Sequence, residues 1–205
     1  MRTLTFDEAL HEYRVDGALV PSVTQIIKPL KPDFSGIRED VLNRKRELGV
    51  AVHLACELDI KGELDEERTS PLVMKYLSAW RKFSHDTGLD VIASEQQLHH
   101  QALGYAGTVD LLAMLRLGKD TTNVPWVLDF KTCLDPHPSF GVQLSGYAML
   151  ADTNDAREWA KCRRGTLHLE PDGRYRLQEY KDHQKDNSAF MACLAIHHWK
   201  AANKA

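Results

Sequence analysis

Between residues 90 and 132 the pattern of this chain changes from helical to extended, and the extended part carries long apolar runs. Residues 126–132 form a short, mostly apolar stretch of the kind that lies inside a sheet. Residues 90–99 and 106–115 read as two further strands, joined by a turn at 101–105. Upstream, residues 39–60 carry Leu48, Ala51, Val52, Ala55 and Leu58 at helical spacing. Ser70-Pro71 reads as an N-cap followed by proline at the first helical position. Val73, Tyr76, Leu77, Trp80 and Phe83 then form an amphipathic stripe that Gly88 ends.

The remaining segments fit around that sheet. Residues 3–15 read as a strand, Asp16-Gly17 as a hairpin turn, and 18–20 as its return. Ser22 caps a short helix over 23–27, and 28–36, with Pro29, Pro32 and Gly36, is loop. Residues 118–125 and 133–140 are loops, 141–151 a helix, 165–180 a hairpin turning at Pro171-Asp172-Gly173, and 186–200 a terminal helix. The expected fold is α/β (α+β): one domain with a central mixed β-sheet flanked by helices. It divides into an N-terminal hairpin and loop (1–38), a core (39–151) and a C-terminal hairpin and helix (152–205).

At 205 residues, 43% apolar and 27% charged, the chain can build a core without staples. No stretch approaches 18 uncharged apolar residues, so no membrane span is expected. The opening residues have no apolar segment of a secretory signal. Cys56, Cys133, Cys162 and Cys193 are scattered with no CxxC pair, which suggests reduced thiols and a cytoplasmic location.

The chemistry concentrates in the extended part. Asp129 and Lys131 are two apart in a strand and therefore share a face. Burying both charges is costly unless they are paired or bind metal. Asp110 is a lone acid in the adjacent apolar run, and two carboxylates from neighbouring strands make a hard oxygen site suited to Mg²⁺ or Mn²⁺. Lys131 beside them can orient a nucleophile or neutralise charge on a phosphate. Glu95, across the hairpin from the neighbourhood of Asp110, is a candidate third acid. His53 and Glu57 lie one helical turn apart on a stripe away from Leu48, Val52 and Ala55.

Gly107-Thr108-Val109-Asp110, Asp129-Phe130-Lys131-Thr132 and Gln143-Leu144-Ser145-Gly146-Tyr147, in that order, resemble the RecB-like branch of the PD-(D/E)XK nucleases. The histidine that members carry on an upstream helix corresponds to His53, after Gly49. Tyr13-Arg14-Val15-Asp16-Gly17 and Pro21-Ser22-Val23-Thr24 are similar to the opening of phage and prophage exonucleases of that superfamily, and the resemblance covers most of residues 6–150. It implies a restriction-endonuclease-like core in which Asp110, Asp129, His53 and the Phe130 backbone carbonyl hold Mg²⁺ or Mn²⁺. It makes Lys131 the catalytic lysine, and it implies that Gln143 and Tyr147 line the site and contact DNA or the lysine. Ser22 and Thr24 become candidate phosphate contacts. The clustered cysteines of iron–sulfur relatives are missing, so no cluster is carried over, and no GxxxxGK[ST] motif points to a nucleotide cofactor.

The resulting expectation is a metal-dependent exonuclease acting on ends of linear double-stranded DNA in phage-type recombination. A single-strand annealing protein and a homotrimer are its implied partners. A single-strand- or structure-specific nuclease, or a subunit of the same fold without catalysis, stays open. The net charge of −3 argues against a passive nucleic-acid coat. It leaves room for local basic patches, here Arg38, Arg44, Lys45 and Arg46 with Lys28 and Lys31 upstream, and Arg157, Lys161, Arg163 and Arg164.

Overall fold

The computed structural model describes residues 3–116, 123–133, 135–154 and 159–203. Strands β1 (Leu4–Asp7), β2 (Glu12–Val15) and β3 (Ala18–Val20) form a small antiparallel sheet. The single strand expected over 3–15 is two, because Asp7 Oδ1 accepts the Leu10 N–H at 3.0 Å and turns the chain at that point. Helix α1 (Val23–Ile26) opens on a capping box: Ser22 Oγ accepts the Gln25 N–H, and the Gln25 side chain accepts the Ser22 N–H. A 3₁₀ turn over Lys28–Leu30 lies within the segment expected to be loop.

Helices α2 (Glu39–Lys61) and α3 (Pro71–Thr87) follow as expected, α3 capped by Ser70 and ended by left-handed Gly88. The main sheet then runs β4 (Asp90–His100), β5 (Tyr105–Leu115), β6 (Val124–Lys131), β7 (Arg163–Leu169) and β8 (Tyr175–Glu179), in that spatial order. Neighbours are antiparallel except β6 and β7, which are parallel and joined through helix α4 (Pro138–Asn154). Helix α4 begins three residues earlier than expected, since Pro138 suits a first helical position and His137 Nδ1 accepts the Ser139 N–H at 3.2 Å. Helix α5 (His183–Asn203) closes the chain.

Apolar side chains cover both faces of the sheet. On one face Val52, Cys56, Tyr76, Trp80 and Phe83 of α2 and α3 pack on Leu111, Leu128 and Phe130. On the other, Leu144, Tyr147, Leu150, Phe190 and Leu194 of α4 and α5 join Val23, Ile26 and Val127. Gly146 lets α5 approach: a Cβ there would stand 2.5 Å from the Phe190 ring. Among the described residues no helix is long and apolar enough to cross a membrane.

Candidate active site

The site forms where β5 and β6 part. Their ladder ends at Leu111 opposite Leu128, so Asp110 and Asp129 stand just past its last pair. The Phe130 N–H, beyond that end, donates to Asp110 Oδ2 at 2.8 Å. Asp110 is 7% exposed and Asp129 2%. Such burial requires partners, and each acid has its own.

Asp110 belongs to a group that faces α2. His53 donates from Nε2 to the Phe130 carbonyl at 2.9 Å, and its Nδ1 lies 3.3 Å from Asp110 Oδ2. Glu95 joins from β4, where its backbone takes φ +46°. That region is uncommon for a residue with a side chain. One ligand atom each from His53, Glu95 and Asp110 lies within 4.8 Å of the others. Burial pushes the Glu95 carboxyl up to about 8, with repulsion from Asp110, Glu57 and Asp129 adding to it. Burial likewise raises Asp110, against the pull of His53. Two crowded carboxylates, an imidazole and a backbone carbonyl are a donor set that fits a hard divalent cation, with the imidazole admitting Mn²⁺.

Asp129 belongs to a second group, which faces α4. Gln143 Nε2 donates to its Oδ1 at 3.0 Å, and its Oδ2 is ion-paired with the Lys131 ammonium. Burial opposes the charge on Lys131, but Asp129 and Asp110 outweigh it and hold its pKa above the ordinary lysine value. The ammonium also sits 4.7 Å from the centroid of the Phe140 ring. Gln143 Nε2 contacts the Tyr147 hydroxyl at 3.2 Å as well. Burial and the nearby acids keep Tyr147 a neutral phenol. Gly107 allows this arrangement, since a Cβ there would come within 3.0 Å of the Tyr147 ring.

His53, Glu95, Asp110 and the Phe130 carbonyl thus stand on one side of the parting strands, and Asp129 and Lys131 on the other. Asp129, expected beside Asp110 as a ligand, stands outside the three-donor group, and Glu95 stands inside it. Gln143 and Tyr147, expected to contact DNA or the lysine, are buried at 8% and 5%; Gln143 reaches Asp129 and Tyr147 reaches Gln143. Ser22, expected as a phosphate contact, is buried at the α1 cap with its Oγ 3.0 Å from Thr24 Oγ1. Glu57 is paired with Lys61 Nζ at 2.5 Å.

The two basic patches fare differently. Arg44 pairs with Asp40 at 2.6 Å and Arg46 donates to Asn43, both on the exposed side of α2. Lys45 lines a groove of about 670 Å³ with Phe34, Tyr76, Thr132, Cys133 and Phe140, next to Lys131. In the second patch Lys161 is exposed, but Arg163 and Arg164 do not join it as one surface. Arg164 is 1% exposed and donates to Asp186 Oδ2 at 2.9 Å and to the Gly141 and Tyr180 carbonyls. Arg163 forms a two-pronged pair with Glu179 and stacks on Trp126. Arg157 lies outside the described residues.

Tyr13, Thr166 and His168 do not stand out as site residues in the sequence, and Lys31 does so only as a member of a basic patch. Tyr13 hydrogen-bonds Thr108 at 2.7 Å, and burial together with the fields of Glu95 and Asp110 raises its pKa. The surrounding protein and the charge of Lys131 lower the pKa of Lys31. Thr166 and His168 are paired in register with Asp129 and Lys131.

No protein-family model matches the chain, and no curated protein matches it. Among solved structures it is similar to an alkaline exonuclease (LHK-Exo) from Laribacter hongkongensis. The identity is 15%, with 91% of this chain and 95% of that chain covered, at a TM-score of 0.41. The same exonuclease in complex with dAMP matches at 16% identity, with the same coverage and a TM-score of 0.38. The site described above stands on its own contacts rather than on that likeness.

Proposed function

We propose that this chain is a metal-dependent DNA exonuclease that hydrolyses phosphodiester bonds from the ends of linear duplex DNA, in the manner of phage-type recombination nucleases. The observation that carries the reading is the convergence of His53, Glu95 and Asp110 beside a buried Asp129–Lys131 pair at the parting of two strands. His53, Glu95 and Asp110 supply the first donors for Mg²⁺ or Mn²⁺, and the Phe130 carbonyl and Asp129 the remaining ones. When bound, the cation lowers the pKa of a water nucleophile and stabilises charge growing on the phosphate.

The chain's own residues do the rest. Gln143 fixes one oxygen of Asp129, so the carboxylate presents a set orientation to Lys131. Lys131 keeps its proton, which makes it a fixed positive charge for the phosphate oxygens rather than a base. Phe140 limits where the ammonium can move. Lys45 and Lys31 border the approach and meet the phosphate backbone of the substrate. An annealing protein and a homotrimer fit this role as partners.

The test is digestion of linear duplex, circular duplex and single-stranded DNA, with and without Mg²⁺. Digestion of the linear duplex alone supports the exonuclease. Cleavage of single strands alone supports the single-strand nuclease, and no digestion by the folded protein supports a binding subunit.

A further inference from the structure

Strand β7 is buried from Arg164 to Leu169, yet its inner positions opposite the acid and the lysine are polar. His168 is 1% exposed and Thr166 is wholly covered. A buried imidazole is tolerated when both nitrogens are satisfied, and both are. His168 Nδ1 lies 2.7 Å from the Cys133 carbonyl, and its Nε2 lies 2.9 Å from Thr166 Oγ1. A carbonyl only accepts, so Nδ1 carries the proton and Nε2 accepts from the threonine hydroxyl. The tautomer is therefore set by the fold.

The bond to Cys133 lies outside the sheet ladder. The β6–β7 register ends at Lys131 opposite His168, so this bond holds the chain two residues past the last pair. The imidazole also stands 6.5 Å, centroid to centroid, from the Phe140 ring over which the Lys131 ammonium sits. His168 thus holds the backbone two residues past Lys131 and stands beside the ring that bounds the Lys131 ammonium.

We propose that His168 is a positioning residue for Lys131: its Nδ1–H, bonded to the Cys133 carbonyl, fixes where the lysine ammonium stands relative to Asp129. The use of that placement in cleavage rests on the nuclease reading above; the placement itself does not. The amide nitrogen of asparagine can take over the Nδ1 bond, whereas glutamine places its amide nearer the Nε2 position. Leucine provides neither.

The test compares His168→Asn, His168→Gln and His168→Leu in the full chain by two readouts. The first is the NMR signal of the Lys131 side chain in lysine-labelled protein, assigned with Lys131→Arg. The second is single-turnover cleavage of linear DNA with Mg²⁺. The Lys131 signal should stay in place in His168→Asn and shift in His168→Gln and His168→Leu. Cleavage should follow the same order, with a loss on the order of 10²-fold where the bond is missing and DNA affinity unchanged. A Lys131 signal that stays put in all three variants, or one that shifts equally in all three, overturns the proposal. A signal that follows the expected order in a protein that never cleaves DNA keeps the positioning role and removes the nuclease reading.

Discussion

At the scale of single residues, the site separates two groups of charge that the sequence places close together. Lys131 is bound to Asp129 and cannot be a ligand, because an ammonium has no lone pair. Lys131→Ala should therefore keep metal and DNA binding while slowing the chemical step ~10²–10³-fold, the scale for one preorganised electrostatic contact. Single-turnover rates beside metal calorimetry check this, and a joint collapse of both would make Lys131 a structural brace for the acids. Asp129→Asn should leave the fold intact and abolish turnover, because it removes the charge that Lys131 answers. Glu95 gives a pH signature. Its folded pKa, about 8, stands above the ordinary 4.5, so its contribution to stability is complete below pH 4.5 and lost as pH rises to 8. The metal-free chain should lose thermal stability across that window, and Glu95→Gln should lose less. Melting curves of the two proteins against pH decide it, and parallel curves would remove the assignment.

At the scale of elements, the legible parts are those that one strand or helix specifies alone. Residues two apart on a strand share a face, and that spacing by itself places Asp129 with Lys131. The tight turn after β4 fixes the hairpin register and so brings Glu95 level with Asp110. Arg163 and Arg164 show where such reading stops. Adjacent in sequence, they look like one basic patch, but they lie in β7, and consecutive strand residues face opposite ways. Arg163 goes to Glu179, and Arg164 goes inward to tie β7 to α4 and α5 through Gly141 and Asp186. The roles of His168 and Gln143 are hidden for a similar reason: their partners come from elements distant in sequence. Arg164→Ala should cost about 3–5 kcal/mol by leaving Asp186 without its partner, as read by urea unfolding. A loss within the range of surface substitutions would place the pair outside the core of the fold.

At the scale of the whole molecule, the proposed function requires a chain of net charge −3 to hold DNA through local charge rather than overall attraction. With Arg164 turned inward and Arg163 paired with Glu179, that task would fall to the α2 face and to the groove beside Lys131. Charge reversal at Arg44 and Lys45 should weaken binding to all sequences alike and reduce the salt slope by roughly 0.9 for every phosphate no longer neutralised. Binding measured over a range of salt concentrations checks this, and an unchanged slope would assign those side chains to solvent. The central claim is that Asp110, with His53 and Glu95, makes the molecule a metal-dependent nuclease. The most direct measurement is degradation of an end-labelled linear duplex by the wild-type chain and by Asp110→Asn, each with and without Mg²⁺. The account predicts degradation by the wild type with Mg²⁺ only, and none by a folded Asp110→Asn; equal degradation by both proteins, or degradation that ignores the metal, would contradict it.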